Sequence, residues 1–298
     1  MLNIKEIIDE INDISEALDP DFSDKIKDYI ETLLNPDEQA FVYMKKQDLI
    51  KNKSKFEDFE RALLDKWLYE LKEFSLTKSG LFDGVYFYTF NELIKMGLVI
   101  VEKNKIIYFN RNTKGSLVLP KEINSLESRS FENCNLSSII LSDNIKIIPD
   151  FCFINSFVLE RVEFGYELQS IGESAFSYSA IKEIDLPEGL LNISKCAFSN
   201  CVNLVKGKIP STLEHINSQV FFNTGFRSVG VINSSMDTEN NLEIGENLID
   251  IGDMAFACSE NLVIVNLPNT LKGLSRRAFN NCPIEEENFY ISPSCYIL

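Results

Sequence analysis

The chain has 298 residues, of which 45% are hydrophobic and 25% are charged, so it can bury a sizeable core. This composition excludes disordered and collagen-like chains. The formal net charge is -16: residues 1–112 carry 16 Lys and Arg against 22 Asp and Glu, and residues 113–298 carry 13 against 23. Generic binding to nucleic acid or to an anionic membrane needs an excess of cations, so we expect neither as a partner.

The sequence begins Met1-Leu2-Asn3-Ile4-Lys5-Glu6, without the basic start and apolar run of about 7–15 residues that a secretory signal needs. No stretch approaches the roughly 20 consecutive apolar residues of a membrane span. These features predict a cytoplasmic protein, with a virion or a specialised secretion route as the alternatives. The seven cysteines are an odd number without a C-x-x-C pair, and we interpret them as reduced thiols.

Residues 1–112 show no repeat and are predicted to form a mainly helical domain. Apolar residues recur at a spacing of three and four in three segments, 4–14, 22–34 and 56–74. The only basic run, 44–55, is interpreted as a solvated helix end or a linker.

The end of this domain carries a sequence of turn and strand signals. Thr89-Phe90-Asn91-Glu92 is a capping box that predicts a short helix ending at Gly97. Two apolar runs, 98–101 and 106–109, then predict a hairpin. Helix, glycine and hairpin at 89–109 are similar to the end of a winged-helix module, in which the helix enters the DNA major groove. The alternative is that the hairpin caps the end of the repeats that follow.

A repeat of 22 to 23 residues occupies the rest of the chain. It is marked by seven phenylalanines, each preceded five residues earlier by Leu or Ile: Phe131, Phe153, Phe176, Phe198, Phe221, Phe256 and Phe279. Three residues after each phenylalanine lies Cys, Ser or Thr. Cys134, Cys201 and Cys282 share this slot with hydroxyl residues, so we expect small buried packing residues rather than ligands.

Between the phenylalanines the apolar residues alternate, as in a short strand, and proline often follows. Stacked repeats of this kind bury a continuous apolar ladder, which predicts a solenoid. One spacing is 35 residues because a polar insertion lies near 230–241. This insertion is interpreted either as a place where function is grafted or as a tolerated surface loop.

The repeat resembles the BspA-type leucine-rich repeat over residues of about 116–290. The segments that carry this resemblance are Ile171-Gly172-Glu173-Ser174-Ala175-Phe176, Ile251-Gly252-Asp253-Met254-Ala255-Phe256 and Leu186–Leu204. Cys152-Phe153 and Val220-Phe221 depart from the family's Ala-Phe pair. The resemblance implies a curved solenoid that binds proteins, and it implies no catalytic residue. The predicted fold class is therefore α + repeat solenoid: an N-terminal helical domain (1–112) that ends in a β-hairpin, followed by a seven-repeat solenoid (113–298).

If the strands line the inner, concave wall of the solenoid, the residues between their buried positions should face the solvent on that wall. They form columns of mixed sign. We interpret these charges either as cross-strand pairs for solubility or as a footprint for a partner. The candidate partner-binding residues are Arg161, Glu163, Glu183, Asp185, Lys206, Lys208 and Asn266.

Motifs for catalysis and cofactors are missing from the sequence. His215 is the only histidine, so a site with several histidine ligands cannot form within one chain. No phosphate loop, dinucleotide fingerprint or nucleophile elbow occurs. We expect no catalytic residue, no cofactor and no metal. The sequence predicts a non-enzymatic protein that binds another protein through its solenoid. The alternatives are a DNA-associated regulator acting through 89–109 and an adhesin or receptor-binding protein of a cell surface or phage particle.

Overall fold

The computed structural model describes residues 80–82, 85–87, 90–231 and 240–298. The chain divides into two compact units, Met1–Phe90 and Asn91–Leu298. In the first unit, β1 (Gly80–Phe82) and β2 (Val85–Phe87) pair antiparallel as a hairpin. The hairpin predicted at 98–109 lies in the second unit, together with the repeats. Independent folding of 1–112 and 113–298 as domains stays a prediction.

The predicted fold class is wrong in its helical part. The described residues form strands almost throughout, most of them in parallel sheets, and their only α-helix is α1 (Phe90–Lys95). Three-and-four spacing predicted helices in this part of the chain, whereas residues 80–87 are β-forming apolar and aromatic residues on either side of an Asp-Gly pair. The helices predicted at 4–14, 22–34 and 56–74 lie outside the described residues, and a helical N-terminal domain is not supported.

The end of α1 and the hairpin after it follow from local chemistry. Gly97 takes a φ of 68°, and the Leu98 N–H donates to the Leu93 carbonyl, so a Schellman motif ends the helix. The hairpin strands are β3 (Val99–Glu102) and β4 (Lys105–Phe109). The two residues between them, Lys103 and Asn104, both have positive φ, which is the backbone of a tight hairpin turn.

Each repeat contributes one strand to a main sheet and a shorter strand to a side ladder. The main-sheet strands are β5 (Lys114–Val118), β7 (Asn135–Ile140), β9 (Arg161–Glu163), β11 (Glu183–Asp185), β13 (Lys206–Ile209), β15 (Ser228–Gly230), β16 (Asn241–Ile244), β18 (Ile264–Asn266) and β20 (Phe289–Tyr290). The side strands are β6 (Ser125–Leu126), β8 (Ile147–Ile148), β10 (Ser170–Ile171), β12 (Asn192–Ile193), β14 (His215–Ile216), β17 (Asp250–Ile251), β19 (Gly273–Leu274) and β21 (Tyr296–Ile297). A 3-10 helix, Glu286–Asn288, precedes β20.

The predicted phenylalanine ladder is confirmed. Successive rings stack with centroids 4.9 to 5.6 Å apart, from Phe131 to Phe279. The aliphatic residue five positions earlier is buried in the side strand of every repeat. Phe109 of β4 stacks on Phe131 at 4.7 Å, and β4 pairs parallel with β6. The hairpin therefore adds one more layer to the repeats, as the capping interpretation requires.

Two residues in most repeats adopt the left-handed backbone conformation, two positions before and two positions after the phenylalanine. The later position is usually asparagine, which tolerates this conformation better than most residues. Its members are Asn133, Asn155, Tyr178, Asn200, Asn223, Cys258 and Asn281. This explains why Asn follows the phenylalanine so often in the sequence.

The main sheet contains a strand that the sequence analysis did not predict. Its order in the second unit is β5-β7-β9-β11-β13-β16-β15-β18-β20, so β16 lies between β13 and β15. The side strands β14 and β17 pair directly, without an added strand between them. The insertion therefore widens only the main sheet, by one strand, which is about 4.8 Å.

Candidate partner-binding face

Side chains along the central main-sheet strands alternate between the core and the solvent, and those that face the solvent are charged. Val162 and Ile184 point into the core, where they are 6% and 1% exposed. Their neighbours in sequence are the predicted candidates. We define the charged face as six residues on three adjacent strands: Arg161 and Glu163 of β9, Glu183 and Asp185 of β11, and Lys206 and Lys208 of β13.

The strand register aligns these charges in rows across neighbouring strands. These rows are the columns of mixed sign that the sequence predicts. Arg161 lies opposite Glu183, and Glu183 lies opposite Lys206. The Lys206 Nζ is 3.0 Å from the Glu183 Oε1, with both side chains about half exposed. In the second row Asp185 lies opposite Lys208. Exposed pairs of this kind stabilise a fold by about 0–1 kcal/mol, so the rows add little to stability.

Strand β16 adds a residue to this face that the sequence analysis missed. Glu243 lies opposite Lys208 on one side and Gly230 on the other. Lys208 therefore stands in a row between two carboxylates, those of Asp185 and Glu243. The alternation of Asn241-Leu242-Glu243-Ile244, immediately after the polar insertion, is the sequence signal that would have indicated this strand.

Asn266 differs from the other candidates because its side chain has a structural role. Its Nδ2 donates to the Val231 carbonyl at 2.5 Å. Gly230 lies opposite Asn266 with a φ of 137°, and a Cβ at Gly230 would stand 1.8 Å from the Asn266 carbonyl oxygen. The Asn266 amide thus holds the end of β15, and its side chain is less available to a partner than those of the charged face.

Several outward positions beside the charged face are buried serines. Ser138 of β7 donates to Ser116 of β5 at 2.6 Å, and both are buried. Ser228 of β15 is also buried. In the central strands of the main sheet, the accessible charges lie on β9, β11 and β13, with Glu243 of β16 beside them.

The cysteines that lie three residues after a phenylalanine act as hydrogen-bond donors. The Cys201 Sγ donates to the Phe176 carbonyl at 3.2 Å, and the Cys282 Sγ donates to the Phe256 carbonyl at 3.2 Å. Burial raises the pKa of the Cys201 thiol to about 11 and that of Cys152 to about 12. Both thiols stay protonated near neutral pH. The protonated Cys201 thiol donates as a hydroxyl group does, which explains why Cys, Ser and Thr alternate in the slot three residues after the phenylalanine.

The described residues do not form a catalytic or metal-binding cluster. His215 is exposed on β14, and its Nε2 is 4.0 Å from a Glu214 carboxylate oxygen. Within the described ranges, no cluster of His, Cys, Asp and Glu has the arrangement of a metal site. Over the same residues, no helix has the length and apolar character of a membrane span. In α1, the helix that a winged-helix reading would place in DNA, Lys95 is the only basic residue.

Comparison with known proteins identifies the family to which the repeats belong. The family model described as a BspA type leucine-rich repeat region matches in six copies, over residues 104–227 and 233–296. A search of curated proteins finds no match.

Solved leucine-rich repeat structures are similar at low identity. A protein from Bacteroides ovatus is 23% identical with a TM-score of 0.48 and covers 65% of this chain, which spans 58% of that protein. The T. pallidum protein TpLRR is 20% identical with a TM-score of 0.39, covering 53% of this chain and 82% of its own. The pneumococcal vaccine antigen PcpA is 20% identical with a TM-score of 0.36, covering 70% and 75%.

Proposed function

Since this chain belongs to the BspA-type leucine-rich repeat family, we propose that it is a non-enzymatic interaction protein that binds another protein on the charged face. The observation that supports this proposal most directly is the register of six charged side chains on β9, β11 and β13. These residues stand on strands whose inward neighbours are buried, so their backbone positions are fixed before a partner arrives.

The arrangement of the charges favours a protein as the partner. Each row of the charged face mixes cations and carboxylates, at a strand spacing of about 4.8 Å. A polyanion such as nucleic acid would meet the carboxylates of Glu183 and Asp185 and be repelled. A protein surface can instead present complementary charges of both signs. A scaffold that is already ordered loses little conformational entropy on binding.

The test uses the tagged full-length chain in a lysate of the source cells, with nuclease-treated controls. The variant Lys206→Glu/Lys208→Glu reverses the cations of the face, and Lys272→Glu reverses an exposed lysine elsewhere in the repeats. We expect retention of one specific protein, unaffected by nuclease, to be lost in the double variant and kept in the control. Equal retention by all three proteins would contradict the proposal. A surface adhesin would use the same face, and the identity of the retained protein distinguishes that alternative.

A further inference from the structure

A second surface, at the hairpin of the second unit, exposes apolar side chains. We call it the hairpin patch and define it by four exposed residues that are close in sequence: Ile94 and Met96 in α1 and the turn after it, and Ile100 and Tyr108 in the hairpin. These side chains are 43%, 60%, 48% and 45% exposed, respectively. Ile100 and Tyr108 lie opposite one another on β3 and β4.

The hairpin exposes large apolar side chains on its outward face, beside the exposed Glu102 at the end of β3. Val99, Ile106 and Phe109 are at most 3% exposed and form the inward face. The outward face would ordinarily carry polar residues in an antiparallel pair with one solvated side. Ile100 and Tyr108 occupy most of it instead, and Glu102 is the exposed carboxylate at its end. Clustered exposed apolar residues with a polar surround are typical of a binding surface.

Around the hairpin patch, cations outnumber carboxylates, although the chain is acidic overall and Glu102 of β3 is exposed there. Lys95 lies between Ile94 and Met96, and Lys103 forms the hairpin turn. Arg111 follows Asn110, whose N–H donates to the Leu98 carbonyl at 2.7 Å at the base of β3. Lys105 is engaged by Glu127 at 2.5 Å. In the described part of the chain, Lys95, Lys103 and Arg111 have no carboxylate partner, so their charges are available to a ligand.

We propose that the hairpin patch binds an acidic peptide segment of another protein, which places aliphatic or aromatic side chains on Ile100 and Tyr108. The apolar centre would gain from burial, and the surrounding cations would attract the carboxylates. This surface is separate from the charged face, which mixes both signs, and the proposal does not depend on the function proposed there.

Two other anionic partners fit the hairpin patch less well. DNA would press phosphates against an apolar centre, and α1 offers Lys95 but no Arg or Gln to read a base edge. A membrane would need apolar residues at the tip of the hairpin. Lys103 and Asn104 form that tip, and the apolar side chains lie along its flank.

The experiment is a selection of displayed random peptides of about twelve residues on the immobilised full-length chain. Parallel selections use Ile100→Ser/Tyr108→Ser, Lys103→Glu/Arg111→Glu, and the matched control Leu191→Ser/Lys272→Glu, which changes exposed residues of the repeats. Thermal unfolding of each variant verifies that it is folded. Binding of the enriched peptides is then measured by fluorescence polarisation, beside a mixed-sequence DNA duplex and phosphatidylserine vesicles.

We expect enriched peptides with several Asp or Glu and at least one large apolar residue. Both patch variants should weaken their binding by about tenfold or more, and the control should leave it within about twofold. The proposal is overturned if no peptide is enriched, if the enriched peptides lack acidic residues, or if the patch variants bind them as well as the unaltered chain. Binding of the duplex or the vesicles that depends on the patch, without peptide binding, would assign this surface to that partner instead.

Discussion

At the scale of single residues, each position of the repeat accepts only certain side chains, and the same restrictions recur every 22 to 23 residues. The slot three residues after each phenylalanine requires a small donor, because the side chain there bonds a nearby carbonyl or the same slot of the next repeat. Ser156 donates to the Phe131 carbonyl at 3.4 Å, and Cys134 donates to Ser156 at 3.3 Å. The sequence predicted small buried residues in this slot. It could not show the hydrogen bonds, because packing and donation select the same residue types.

The donor role of this slot predicts a difference between two substitutions at one position. Cys201→Ala removes the bond to the Phe176 carbonyl, and we expect it to lower the free energy of unfolding by about 1–2 kcal/mol. Cys201→Ser keeps a donor of the kind found at Ser156 and Ser179, so it should cost less. Urea unfolding followed by circular dichroism measures both variants. If Ala proves no worse than Ser, the slot selects for size alone.

Thiol chemistry offers a second test at this scale. Burial raises the pKa of Cys152 and Cys201, so neither forms appreciable thiolate in the folded chain at pH 8. Cys295 is among the less buried thiols, and we expect iodoacetamide to modify it well before those two. Mass spectrometry of peptides measures the order of modification, and labelling in urea provides the control in which all seven should react. Early modification of Cys152 or Cys201 in the native chain would contradict their burial.

At the scale of elements, the sequence predicts the features that follow from periodicity, such as the phenylalanine ladder. It does not predict which strands pair with one another. Phenylalanines one repeat apart stack directly, so their spacing alone indicates the ladder. The position of β16 is different, because sequence order would place β15 beside β13. The structure instead places Leu242 of β16 next to Gly207 of β13. Gly207 has no side chain, and this leaves room in the core for Leu242.

The same reasoning applies to the candidate face. Alternation along β9, β11 and β13 was enough to predict that the six charged residues share one side of the sheet, and their role in binding a partner stays a prediction. Glu243 was missed because its strand lies behind an insertion. Asn266 was predicted as a partner contact because it shares the outward column. Its bond to the Val231 carbonyl depends on the path of the chain after β15, which no local pattern reports.

The fit between Gly207 and Leu242 predicts coupled effects on stability. A Cβ at Gly207 would lie 2.7 Å from the Ile184 Cγ1 and 2.9 Å from the Leu242 Cδ1, so Gly207→Ala should destabilise the chain. Leu242→Ala should cost about 2–4 kcal/mol through the cavity that it leaves. In the double variant the added methyl group meets less crowding, and the total should be smaller than the sum. Urea unfolding of the four proteins measures the coupling; strict additivity would mean that the two residues do not share one space.

At the scale of the whole molecule, the unit Asn91–Leu298 carries two surfaces of different chemistry. The charged face mixes carboxylates and cations on neighbouring strands, and the hairpin patch combines exposed apolar residues with unpaired cations. Neither surface contains a nucleophile beside a base or a set of metal ligands among the described residues. The stacked repeats supply a rigid support for both surfaces, and the family assignment and the surface chemistry together favour recognition of proteins.

Site-specific photo-crosslinking of the full-length chain in the source cells tests directly whether the charged face binds a protein. A benzophenone amino acid replaces Glu183 in the middle of the charged face or, as the control, Leu191, which is 65% exposed outside that face. We predict a crosslinked protein at position 183 that is absent at position 191 and lost when Lys206→Glu/Lys208→Glu is added. No crosslink at position 183, or the same crosslink from both positions, would mean that the charged face is not the binding surface.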